Sequence, residues 1–154
     1  MKATSGNTEN GTGNIACITL EDGLIGIPSA RRFNLVVEQD SPFHWLQCVD
    51  EPAIALPVID PLEFVEDYTF DLTTGDAERL TIQTPDEVVV LTTVTIEDNP
   101  KRVTTNLLGP IVFNRTTLQG KQIVLSSENY STKYILYEAD GVAHQPIREK
   151  HRVA

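Results

Sequence analysis

Only two cysteines, Cys17 and Cys48, occur in the 154 residues. That is too few for a disulfide framework, and no Cys-x-x-Cys or closely spaced histidine pair offers a zinc site. No run of 18 apolar residues exists, so no apolar membrane-spanning helix is expected. The first residues, MKATSGNTENGTGN, lack the apolar core of a secretory signal. No glycine-rich phosphate loop follows a strand. These absences point to a cytoplasmic protein with no metal, no cofactor and no membrane contact. The sequons at Asn10, Asn114 and Asn129 carry little weight in such a compartment. Bases are also scarce where acids are dense. Residues 38–98 hold fifteen acids and one base, Arg79, within a chain of net charge −10. Phosphates need Lys and Arg to neutralise them, so direct nucleic-acid binding is disfavoured. A basic protein partner suits the acidic middle, as does a plain solvated surface.

What is abundant is Val, Ile and Thr in short runs, and this favours strands. IACITL, RFNLVVE, FHWLQCV, AIALPVI, DYTFDL, EVVVLTTVTI and QIVLS each read as a strand, with turn signals about every 8–12 residues. VTTNLLGPIVFN is interrupted by Gly109–Pro110, so it is kinked, bulged or two strands. RTTLQGK reads as a hairpin loop into QIVLS. TTGDAERLTI alone has helical character, capped by Asp76 or Thr74 and placing Leu80 inward. PLEFVEDY adds a short turn. The expected fold is all-β: a small antiparallel barrel or sandwich-like single domain with one or two short helical turns. Residues 1–13 read as disordered, 14–136 as the β domain, and 137–154 as a tail.

The stretch DSPFHWLQCVDEPAIALPVIDP, residues 40–61, holds Ser41, His44, Cys48, Asp50 and Asp60, the usual parts of a hydrolase. On a strand, Phe43, Trp45, Gln47 and Val49 share one face, and His44, Leu46, Cys48 and Asp50 the other. His44 and Cys48 then lie ~13 Å apart along the strand, too far for a thiolate–imidazolium pair. Ser41 sits outside any nucleophile elbow. Asp40, Asp50 and Asp60 flank chain breaks, where a carboxylate accepts from turn N–H groups. Cys48 reads as a buried hydrophobe, His44 as a satisfied strand histidine, and Phe43 and Trp45 as core. Asn106 and Asn114 bracket LLGPIVF and read as holders of the bulge and hairpin turn. No catalytic residue is expected, and the protein is not read as an enzyme.

The same stretch resembles the central signature of the flagellar assembly factor FliW family: an acidic Ser-Pro-Phe lead, an aromatic–Trp–Leu–Gln segment, and a strand ending in Asp-Pro. TTNLLGPIVFNRTTLQGKQIVL, residues 104–125, is similar to the family's Thr-x-Asn-Leu core and hairpin return. PDEVVVLTTVTIEDNP resembles its long strand. LEDGLIGIPSARRFNL matches more loosely, since Ile25 and Ile27 stand where Pro and Phe are usual. The resemblance covers residues 15 to about 136; the first 13 and last 18 residues have no counterpart in it. It implies a cytoplasmic, non-catalytic regulator of flagellar assembly. Such a protein binds and antagonises the RNA-binding translational regulator CsrA, and binds flagellin in a chaperone-like way, coupling flagellin level to flagellin translation. The rival reading is a generic acidic all-β ligand-binding or structural domain without CsrA binding. Candidate partner-binding residues are Glu63, Glu66, Asp67 and Asp71 for encounter, and Phe64, Tyr68, Asn106 and Leu107 for a packed patch. The resemblance places Asn106; position suggests the others.

Overall fold

The structure, a computed structural model, describes residues 12–98 and 101–139. It contains nine strands among the described residues: β1 Thr12–Leu20, β2 Arg32–Glu38, β3 His44–Cys48, β4 Ala55–Ile59, β5 Val88–Asp98, β6 Lys101–Thr105, β7 Ile111–Asn114, β8 Gln119–Gln122 and β9 Tyr134–Glu138. One short helix, α1, spans Thr74–Arg79, and 3₁₀ turns occupy Pro61–Glu63 and Pro85–Glu87. β1 begins ahead of residue 14 and β9 ends beyond residue 136, the bounds expected for the β domain. The rest of the expected disordered segment and tail lies outside the described residues.

The strands run in the order β4-β3-β2-β1-β8-β7-β5-β6-β9, and β4 also pairs with β5. That pairing, Val58↔Thr93 and Ile59↔Thr92, closes seven strands into a barrel. All ladders are antiparallel except β1–β8. Side-chain alternation sends Ile18, Leu20, Phe33, Leu35, Leu46, Cys48, Val58, Val89, Leu91, Ile111 and Phe113 into one buried cluster, the barrel interior. Gly120 faces Phe113 across β7–β8; a Cβ there would lie 2.7 Å from both Phe113 Cβ and the Val112 carbonyl oxygen. The barrel closes tightly only because that position carries no side chain.

β5 is the longest strand because it serves two sheets. Val88–Leu91 pair with β7 in the barrel wall, and Val94–Asp98 pair with β6 in a ribbon that β9 extends. Near its start β5 is covered on both faces. Val89 and Leu91 point into the barrel, while Val88 and Val90 pack against the segment 70–82 with Leu80, Val112 and Ile123. Burial on both faces explains the unbroken VVVL run.

Several expected elements shift. VTTNLLGPIVFN is two strands, β6 and β7. DYTFDL is not a strand: Tyr68, Phe70 and Leu72 do alternate onto the outer barrel wall, but no neighbouring strand pairs with them. In the β7–β8 hairpin, QGKQ forms the return strand and the turn lies at Arg115–Leu118. QIVLS continues beyond it as extended chain, with Ile123 N–H donating to the Pro110 carbonyl (2.8 Å) and Leu125 N–H to that of Leu108 (2.9 Å). Thr73, rather than Thr74 or Asp76, caps α1, its Oγ1 accepting from Asp76 N–H at 3.0 Å. Leu80 is buried as expected. The two faces of β3 divide as the alternation requires, but Leu46 and Cys48 face the core, and Trp45 is 37% exposed on the outer wall. A seven-stranded barrel has room inside for aliphatic side chains, and the indole is left on the convex side.

Candidate functional site

The hydrolase-like residues are occupied structurally. His44 Nδ1 accepts from Glu38 N–H at 3.2 Å, so its neutral form completes the β2–β3 connection. Burial pushes the imidazole below its ordinary value, with Glu63, Glu38 and Asp60 opposing. Ser41 Oγ accepts from Phe43 N–H within a turn. Cys48 is buried, Cys17 is exposed, and both are free thiols. Asp50 accepts from the backbone N–H groups of Arg31 and Arg32 and from the Arg32 guanidinium. These bonds hold its carboxyl below the usual range. Among the described residues no three His, Cys, Asp or Glu side chains converge as a metal site. No helix of these residues is long and apolar enough to cross a membrane.

The asparagines of the second signature are turn holders. Asn114 Oδ1 accepts from Thr116 and Thr117 N–H, while its Nδ2 donates to the Leu80 and Thr81 carbonyls. Asn106 Oδ1 accepts from Leu108 N–H at 2.9 Å. Gln122, absent from the sequence-derived candidates, ties this loop down. Its Nε2 donates to the Gly109 carbonyl and its Oε1 accepts from Ile25 N–H.

The remaining candidates lie on the segment that leaves β4 and crosses the outer wall. Asp60 caps its first turn, Oδ1 accepting from Leu62 N–H at 3.0 Å. Glu63, Glu66, Asp67 and Asp71 are exposed, and among the described residues none forms an ion pair. Arg79, the only base of residues 38–98, turns away to Glu21 and Asp22. Lys121 is held by Asp76 at 2.7 Å. Among the described residues the four acids thus project into solvent without an ion-pair partner.

Phe64, Tyr68 and Leu107 are brought together, but beneath the surface. Tyr68 and Leu107 are 7% and 0% exposed, in a cluster with Val65 and Tyr134. The Tyr68 hydroxyl donates to the Leu107 carbonyl at 2.7 Å, and burial raises its pKa strongly. Two expected contact residues are therefore core residues that fix the acidic segment to the 106–110 loop. Phe64 is half-buried between that cluster and the one holding Ile59, Val94 and Val103.

Beside the acids lies a feature the sequence reading missed. A cavity of about 460 Å³ opens between the segment 60–72 and the chain from Ala77 to Val90. Leu62, Phe70, Leu72, Ile82, Val88 and Val90 give it apolar walls, and Asp60 and Asp71 also line it. The available signal was Val88 and Val90, apolar on the second face of a strand already apolar on its first, which requires a cover; an incomplete cover leaves a groove.

A family model described as FliW protein matches residues 2–136, beginning earlier than the resemblance traced at residue 15. The flagellar assembly factor FliW of Geobacter sulfurreducens is 42% identical over 122 residues, covering 79% of this chain and 76% of that protein. That of Clostridium botulinum is 36% identical over 122 residues, covering 79% and 86%. A crystal structure of the flagellar assembly factor FliW superposes with a TM-score of 0.72 at 32% identity, covering 79% of this chain and 85% of the other. The chain belongs to the FliW family of flagellar assembly factors.

Proposed function

We propose that this chain is a non-catalytic regulator in the cytoplasm that binds CsrA and flagellin, antagonising the first and being sequestered by the second. Free flagellin then holds the antagonist, and flagellin export releases it. The supporting observation is the segment 60–71: four exposed acids without basic partners among the described residues, anchored on a buried aromatic layer. An unsatisfied acidic surface on a rigid base steers a basic RNA-binding dimer into encounter and resists its own collapse.

Remote repulsion of RNA by these acids is too weak to explain antagonism. A pair of unit charges at ~10 Å in water is worth about 0.4 kcal/mol, and screening reduces this to roughly 0.1. Ten such pairs give about 1 kcal/mol, less than tenfold in affinity. Antagonism therefore requires acids within a few ångströms of the RNA path or a shifted CsrA conformation. With CsrA saturated by this chain, inhibition of RNA binding should persist at moderate salt; inhibition that vanishes while the complex remains would make remote repulsion sufficient.

Isothermal titration of the full chain with CsrA and with flagellin tests the main reading. Saturable binding to both is expected. Binding to neither would leave a generic acidic all-β domain.

A further inference from the structure

Asp60 is 5% exposed and lines the apolar groove beside the acidic segment. Its Oδ1 caps the Pro61–Glu63 turn, and among the described residues no hydrogen bond or ion pair engages Oδ2, while the nearby imidazole of His44 is held toward its neutral form by burial. A buried carboxylate oxygen without a partner is costly, so it marks a place where a donor arrives. Around it stand Leu62, Phe70, Ile82 and Val90, with Asp71 as the second acid of the lining. The cavity, about 460 Å³, accommodates one or two large side chains. Among the described residues no basic side chain lines it.

We propose that this groove receives a cationic protein segment, one arginine or lysine reaching the free oxygen of Asp60 while an adjacent apolar side chain packs between Leu62, Phe70 and Ile82. The sign of the charge selects among occupants: a neutral donor satisfies the hydrogen bond but leaves the carboxylate's charge uncompensated, an acidic segment is repelled, and a cation supplies both the donor and the charge in a low-dielectric setting where the pairing is strong. The inference deepens the proposed function, since it assigns the groove to the basic partner and leaves flagellin to other surfaces. Asp60 becomes a specificity determinant beyond its capping role.

Two variants test it on the full chain. Asp60→Asn keeps the cap acceptor and removes the charge. Leu62→Arg, at an exposed position, sets a competing cation at the groove lip. Each should weaken CsrA binding, Asp60→Asn by about 30-fold or more, with the melting temperature held and flagellin affinity within twofold. Equal CsrA affinity for Asp60→Asn and wild type would mean that water satisfies Oδ2, overturning the groove while leaving the proposed function intact. A change in oligomeric state by light scattering, with CsrA affinity unmoved, would make a second copy the occupant and also overturn it. A partner-independent arm uses a fluorescein-labelled dodecapeptide of alternating leucine and arginine, with a twin carrying citrulline for arginine. Wild type should bind the arginine peptide at least tenfold more tightly than the twin, and Asp60→Asn should erase that preference. No preference in wild type overturns the groove even if CsrA and flagellin both fail to bind.

Discussion

The barrel and the segment draped over it solve the same problem in opposite ways. In the barrel, polar groups are matched: Asp50 with Arg32 and two backbone donors, Asn114 with four backbone groups, Gln122 with two loops. Along residues 60–71 Val65 and Tyr68 are buried, Phe64 and Phe70 are half-buried and Leu62 is exposed, and Glu63, Glu66, Asp67 and Asp71 form no ion pair among the described residues. A region that pairs its charges has stability as its end. A region that buries its aromatics and leaves its charges open is built to be stable and still available.

Breaking the barrel should have the largest effect. Phe33→Ala, at a fully buried position, should cost about 3–5 kcal/mol, read as a lower urea midpoint at unchanged slope. Tyr68→Ala on the draped segment should cost nearly as much, about 3 kcal/mol, because the side chain is core and holds the Leu107 carbonyl. A neutral Tyr68→Ala would restore the sequence-derived view of it as a surface contact. Gly120→Ala forces a methyl against Phe113 and the Val112 carbonyl, and should cost about 1–3 kcal/mol.

The misplacement of Tyr68 and Leu107 shows where sequence reasoning ends. Period-two alternation located β2 at Arg32–Glu38 and the long β5, and grouped the faces of β3 correctly. Alternation says which residues share a face and is silent on which face meets the core. Reading Trp45 as core therefore goes beyond alternation, and its outward placement depends on how the strands close the barrel. DYTFDL has a strand's pattern but no strand partner, a property of topology rather than of the segment. Asp50, Asp60, Asn106 and Asn114 were legible as turn holders because Asx chemistry is local. The groove was not, since its walls come from residues 60–72 and 77–90 packed across β5.

pH sharpens the comparison further. His44 is held neutral in the fold, with its folded value below the ordinary one. As pH falls, the unfolded chain takes up the proton first. The stability contributed by this group is thus full above about 6.5 and is lost as pH drops through the folded value. Urea midpoints from pH 7 to 5 should decline in wild type and decline less in His44→Gln; parallel slopes would remove His44 as the cause.

The smallest effect on stability should come from charge reversal on the draped segment. Reversing Glu63, Glu66 and Asp67 to lysine alters exposed, unpaired acids and should move stability by no more than about 0.5 kcal/mol per site. Titration of that triple variant with CsrA, beside wild type at the same salt and with melting curves for both, is the most direct test of the claim that the draped segment works while the barrel supports it. An affinity at least tenfold weaker with an unshifted melting temperature is predicted. Unchanged affinity in a folded triple variant would place the working surface elsewhere on the molecule.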